Sequence, residues 1–477
     1  MARPGVIFTE SSAPASRGAP TDTGTLFVSG VTELGLTNSA VALRSIADYQ
    51  RAFGSRTTTS SAVYDYLDVF FREGGSRAYV ARQIGPGAVL ATVNIPGSTG
   101  TSIVATAKAA GTYYNGLSTK AVASGSGFKL QVFQGSTMLA ESAELTDKTQ
   151  APTFSNDYVN FTAGGGANTP TTGSTSYTLT GGTAGGAITQ TEKDAALLAF
   201  PRTLGPGRVA APGDNAAAMH AAMAVHAAAN NRIAWVDLPD TATVGTVTSA
   251  AATNTALGDS DRIAQFAGSV LVPGPGGITR TVPLSAAQAG VEARRDRALG
   301  EYGVGAVAAF DNYPYSYVTD FSQSYSDANI ETLVLAGVNV GKDAYGANEL
   351  YSYVTAQKRT DGTYWMLNAA NIRMAIQAQA ERIGHSFLGT VIDGQGRSLG
   401  ALEGALKGVL QRYYEAGALF GDLPGDAFQV VVDFSNNPPS SLADGDVYAS
   451  LNVRISPYAE FVTIDLVTTP ITQAIAA

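Results

Sequence analysis

No cysteine occurs among the 477 residues. Without thiols the chain can build no disulfide framework, no thiolate nucleophile and no cysteine metal site. Charge is scarce as well: Asp, Glu, Lys and Arg make up 14% of the chain, where about a quarter is usual. Lys and Arg number 30 against 39 Asp and Glu, a formal charge of −9, and no stretch gathers five or six basic residues. A basic groove for nucleic acid is therefore not expected. No run of 18 apolar residues exists, so no membrane span is expected. The first residues lack the charged-then-apolar profile of a signal peptide. The phosphate loop GxxxxGK[ST] and a GxGxxG following a strand are also missing, so no nucleotide cofactor is expected. Pro206-Gly207 and Pro212-Gly213 read as turns.

Histidine is nearly absent too, with three in all. His220 and His226 lie six apart on an expected helix and so face different ways, whereas a shared metal needs a spacing of three or four. His385 sits in Gly384-His385-Ser386-Phe387-Leu388, close to the GxSxG nucleophile elbow, but Leu388 takes the glycine position and the stretch reads as helix. Asp433 ends an apolar strand before Asn436-Asn437-Pro438-Pro439, which is turn chemistry, and Asp237 is similar, with Pro239 two residues on. Arg294, Asp296 and Arg297 read as a solvated helix face or a subunit contact. Tyr413, Tyr414 and Phe420 lack the basic surround that base stacking would need. No catalytic, metal or cofactor residue is expected.

Much else is legible. Hydrophobic residues make 45% of the chain and glycines number 53, and the length suits two to four domains. The densest pattern lies in 363–466. Trp365, Ala369, Ile372, Ile376, Ala380, Ile383 and Phe387 form one helical stripe, and Leu402, Leu406, Val409, Leu410 and Tyr413 form a second. The period then switches. Phe428 to Asp433 reads as a buried strand, Val447, Ala449, Leu451, Val453 and Ile455 alternate as a half-buried one, and Val462, Ile464 and Leu466 predict a third. Two helices and three strands make an α+β layer.

Ahead of this block, residues 1–22 read as an arm, with Pro4 to Glu10 as a short strand. Residues 23–85 predict strand, strand, helix, helix, strand. Residues 86–190 turn rich in Ser, Thr and Gly and predict a β-rich inserted outer domain, with 163–188 open to local disorder. Residues 191–310 return to α/β alternation and predict a small sheet with helices on both faces. Residues 311–362 are Tyr-rich and irregular, with a short strand or helix at Ile330–Leu335, and 23–85 with 191–362 are assigned to one α/β core part. The whole predicts a mixed α/β and α+β multidomain core with an inserted β-rich domain and extended terminal arms, the last being 467–477.

Several stretches resemble the contractile tail sheath family of long-tailed phages and related injection systems. Pro4-Gly5-Val6 with Glu10 is similar to that family's PGV…E opening. Phe70-Phe71-Arg72-Glu73-Gly74-Gly75-Ser76-Arg77-Ala78-Tyr79-Val80 resembles its FFxNGGxxxYVVR stretch. Trp365, Asn371, Ile372 and Arg373 resemble its INVRR helix, and Gly417 to Phe461 resembles its carboxyl-terminal domain. At Tyr113-Tyr114-Asn115 the Trp and second Gly of a Gly-x-Trp-Gly-Asn motif are replaced. The likeness covers 1–85 and about 200–466.

The resemblance implies a non-enzymatic subunit that polymerises into a helical sleeve of stacked rings around an inner tube protein, with baseplate and tail terminator proteins as further partners. It implies a virion location after assembly in the bacterial host cytoplasm, and no cofactor. Neighbouring copies would be joined by strand addition. Val6, Ile7 and Phe8 would enter a neighbour's sheet carrying Leu451, Val453, Ile455, Val462 and Ile464. The helix Leu399 to Glu415 would face the tube through Glu403, Lys407 and Arg412. An α/β enzyme with a β-rich insertion, and an adhesin or surface-layer protein, are the competing readings.

Overall fold

A computed structural model of the protein describes residues 22–464. Its centre is one eight-stranded sheet. Six parallel strands run in the order Val338–Ala344, Ile263–Ala267, Arg232–Asp237, Gly207–Ala210, Leu26–Val31 and Ala78–Gln83. An antiparallel strand closes each side, Ala347–Leu350 beyond the first and Ala40–Leu43 beyond the last. The small sheet expected from 191–310 is thus enlarged: within the α/β core part the early and late segments share one sheet, because Leu26–Val31 pairs on both of its edges.

Strand faces follow the period of two. Leu26, Val28, Ile233 and Trp235 face one core, against the helices Ser61–Arg72 and Leu284–Leu299. Phe27, Val209, Ala234 and Val236 face the other, against Gln190–Leu198 and Ala217–Ala229. Both faces are covered, so these strands read as continuous apolar runs. The short helix Ile46–Phe53 shows its signals in sequence: the Ser45 hydroxyl caps its start by accepting from the Asp48 amide at 3.2 Å, and Gly54 ends it at φ +87°. Gly207 opens a buried strand instead of forming a turn; a Cβ there would meet the Thr25 carbonyl oxygen at 2.1 Å.

Residues 90–179 form two further sheets with a core of their own, built on Ile103, Phe128, Leu130, Val132 and Phe161. Leu90–Pro96, Thr101–Ala110 and Val159–Ala163 make one sheet; Tyr177–Thr178, Leu117–Ser124, Gly127–Gln134 and Thr137–Glu141 make the other. The stretch 163–188, which composition suggested could be disordered, is laced to both. Gly166 donates to Thr101 O at 2.6 Å, Leu179 to Leu117 O at 2.9 Å and Thr183 to Val89 O at 3.0 Å. The Asn115 side chain bonds the amide and carbonyl of Gly182, each at 2.8 Å. Small residues suit this edge because their backbones must approach closely.

In residues 311–362 the element expected at Ile330–Leu335 is a helix, and the rest is more regular than its composition suggested. These residues hold the helix Asp327–Leu335 and the hairpin of Val338–Ala344 with Ala347–Leu350. Its turn is Tyr345-Gly346, both at positive φ, which matches the twist of a two-residue hairpin loop.

Candidate assembly surfaces

The carboxyl-terminal block stacks the helices Leu367–Phe387 and Arg397–Glu415 over a two-stranded sheet of Phe428–Val431 and Ser450–Val453. Trp365 lies before the first helix, not on it: Met366 is extended, and the indole packs under the Arg359 guanidinium at 4.1 Å. The first strand ends at Val431, where Asp433 begins the expected turn; its carboxylate accepts from the Ser435 amide at 2.8 Å.

Leu451, Val453 and Ile455 are half-buried against the second helix's apolar stripe, which includes Leu402, Leu406 and Leu410. Intervening residues carry the pairing. Asn452 lies opposite Gln429, the Arg454 amide donates to Ala427 O at 2.8 Å, and the Arg454 carbonyl accepts from Phe420 at 2.8 Å. The N–H and C=O groups of Leu451, Val453 and Ile455 therefore point the other way, and they have no hydrogen-bond partner among the described residues. On the far edge Val430 is in the same condition, while the Phe428 amide donates to the Pro424 carbonyl. A cleft of about 580 Å³ borders this sheet, lined by Phe387, Leu402, Leu406, Val447 and Leu451. Two strands with a single covered face and two open edges make an incomplete sheet.

Val462 and Ile464, expected in a third strand, form none. They are 76% and 86% exposed, and 461–464 has no regular structure. The chain instead leaves the sheet after Ser456 and runs along the helix Asp327–Leu335, beside a groove lined by Ile330, Val334, Tyr351 and Phe461. An alternating pattern marks a strand only where an unpaired edge lies within reach, and here the chain has turned away from both. Val6, Ile7, Phe8 and Leu466 lie outside the described residues.

On the helix Arg397–Glu415 the three charged residues do not form one patch. Glu403 and Lys407 pair with each other at 2.6 Å. Arg412 lies about 140° around the helix from Lys407 and donates to the Tyr302 hydroxyl at 3.0 Å. The surface opposite the apolar stripe is made by Gly400, Gly404 and Gly408, with open space where each Cβ would stand. Their four-residue spacing is visible in sequence, but only the helix face gives it meaning.

His220 and His226 are buried, and burial holds both imidazoles below their ordinary pKa, His226 at about 4 with Arg232 adding to the effect. His385 is exposed on a helix, and Ser386 donates to the Ile383 carbonyl at 2.7 Å. Asp237 ends a central strand with its Oδ1 buried and unpartnered; burial pushes the carboxyl up to about 7, and Ser285 offsets part of this. Asp296 is not on a solvated face. It is 7% exposed and joins Arg208, Glu292 and Arg295 in a buried ionic cluster that no local sequence pattern marks. Among the described residues no group of three or more His, Asp or Glu could hold a metal ion, and no helix is long and apolar enough to cross a membrane.

No protein-family model matches the chain, and no curated protein matches it. Solved structures do. A sheath tail protein from Listeria innocua aligns at a TM-score of 0.64 and 13% identity, covering 92% of this chain and 97% of that one. One from Desulfitobacterium hafniense aligns at 0.59 and 15%, covering 90% and 93%. The contracted sheath complex of the extracellular contractile injection system PVC aligns at 0.57 and 13%, covering 98% of both chains. At such identities the likeness is one of fold, and it spans nearly the whole chain: the chain has the mixed α/β fold of the contractile sheath proteins.

Proposed function

We propose that the protein is the structural subunit of a contractile sheath, polymerising around an inner tube and shortening to drive that tube through a cell envelope. The observation that carries this reading is the unfinished sheet at Leu451, Val453 and Ile455, found in a chain with the sheath fold. An apolar strand from another copy would complete it. The arm segment Val6-Ile7-Phe8 supplies the right chemistry: β-branched and aromatic side chains for the cleft, and backbone groups for the edge. In this reading residues 86–190 form the outer domain, 467–477 a second arm, and baseplate and tail terminator proteins bound the sleeve. A virion tail is its place, assembled in a bacterial cytoplasm.

Shortening would need no fuel. A metastable long assembly that gains interface on contracting releases its own free energy. Electron microscopy of the purified protein tests the reading: ringed sleeves are expected, and discrete particles would overturn it. Deleting residues 1–20 should abolish continuous sleeves while the folded subunit keeps its circular dichroism. Full-length sleeves that form and shorten normally without those residues would remove strand addition by the arm.

A further inference from the structure

The described chain begins and ends on one buried polar cluster. At the start, the Thr23 hydroxyl donates to Asp296 Oδ2 at 2.7 Å, and Arg208 donates to the Thr23 carbonyl. Arg295 donates to Asp296 Oδ1 at 2.7 and 2.8 Å, to Glu292 at 2.7 Å and to the Tyr353 hydroxyl at 3.0 Å. Tyr353 donates to Glu292, and Asn371 donates to the Tyr353 hydroxyl at 2.9 Å. At the far end, the Tyr458 hydroxyl donates to the Tyr353 carbonyl at 3.0 Å, with the two rings edge to face at 6.3 Å.

Thr23 and Tyr458 are 435 residues apart in sequence, yet only Asp296, Arg295 and Tyr353 stand between them. These three side chains are at most 7% exposed. Two arginines balance two carboxylates, so the cluster is neutral and densely hydrogen-bonded. Such a cluster adds little to stability over apolar packing, but no member can leave without stranding a buried charge. That makes it stiff where an apolar contact could slide.

We propose that this cluster is a bridge that couples the two exits of the chain, so that strain arriving at Thr23 is passed to Tyr458 and the segment after it without involving the outer domain. Its use rests on the sheath reading, in which both ends are tied to neighbouring copies. The coupling itself is a property of the single subunit.

Hydrogen exchange on the full-length monomer tests it, using Thr23→Val and Tyr458→Phe, two substitutions that keep shape and leave the ions in place. If the ends are coupled, each variant perturbs the other's end, since coupling between sites is reciprocal. Thr23→Val should speed exchange of the Ser456 amide, which donates to Ala418 O at 3.0 Å, by about threefold or more. Tyr458→Phe should do the same to the Leu26 amide, which donates to Arg77 O at 3.1 Å. The Leu130 amide in the outer domain should keep its parental rate in both. Changes confined to each variant's own end, or equal acceleration at Leu130, would overturn the bridge. Sleeve formation by the parent protein is scored separately. Sleeves with confined exchange leave the sheath reading standing without the bridge, and reciprocal exchange without sleeves does the reverse.

Discussion

Arg359 grips Glu460 through two parallel contacts of 2.6 and 2.5 Å, one from each terminal guanidinium nitrogen to its own carboxylate oxygen. The pair fastens the last described segment, 457–464, to the turn before the helix Leu367–Phe387. It is 33% and 16% exposed, so its worth to global stability is about 1 kcal/mol or less. Its local effect is larger, because 461–464 has no regular structure of its own. Glu460→Ala should raise limited proteolysis within 457–464 several-fold while Tm moves by no more than about 2 °C. An unchanged cleavage rate would show that Tyr458 alone holds the segment.

The carboxyl of Asp237 is protonated up to about pH 7 in the folded chain, against 3.8 in an ordinary setting. A raised acid binds more protons folded than unfolded, so stability falls as pH rises from about 4 to 7 and is flat above. The fall should amount to about 4 kcal/mol at most. Asp237→Asn should remove that slope in denaturant titrations between pH 4 and 7.5. A slope identical to the parent's would place the proton elsewhere. Asp296 works in the opposite sense. Burial alone would raise it, but Arg295 and Arg208 outweigh burial and hold it below the usual range, so its contribution is present above about pH 4 and lost in acid.

Gly404 stands on the open face of the helix Arg397–Glu415, with nothing within 4 Å of a would-be Cβ. Glycine there costs helix propensity without relieving any contact inside the subunit. Gly404→Ala should stabilise the monomer by about 0.5–1 kcal/mol, measurable by urea titration. A loss of stability would mean that the face is covered in the free protein.

If this helix meets the tube, its charges should act separately. Lys407→Glu breaks the pair with Glu403 and sets like charges four apart. Arg412→Glu removes the contact with Tyr302 on the other flank. Each should weaken sheath on tube in co-sedimentation at low salt, with little difference at high salt. Attachment unchanged in both would take this helix out of the tube contact.

The alternation of buried and polar positions is enough to place most strands and helices, and the caps at Ser45 and Gly54 can be read directly because capping is local. Alternation alone marks Leu451 and Val453 as half-buried strand positions, and they occupy such a strand. Val462 and Ile464 carry the same alternation and form no strand, since periodicity records which side chains could share a face and not whether an edge lies within reach. The hairpin 338–350 is hidden for a related reason: Gly341, Lys342 and Asp343 interrupt its apolar run, and a pairing partner supplies what composition does not.

What the sequence determined by itself was many of the separate elements, the apolar stripes of the two late helices and the absence of thiols and of nucleotide-loop motifs, because each of these depends on residues within a few positions of one another. Only the tertiary structure decided that both halves enter a single eight-stranded sheet, that Thr23, Arg208, Glu292, Arg295, Tyr353 and Asn371 meet in one buried cluster, and that the last sheet is left with open edges. These are contacts between residues tens to hundreds of positions apart. Hydrogen-bond geometry and charge balance select them in space, and no spacing along the chain records them.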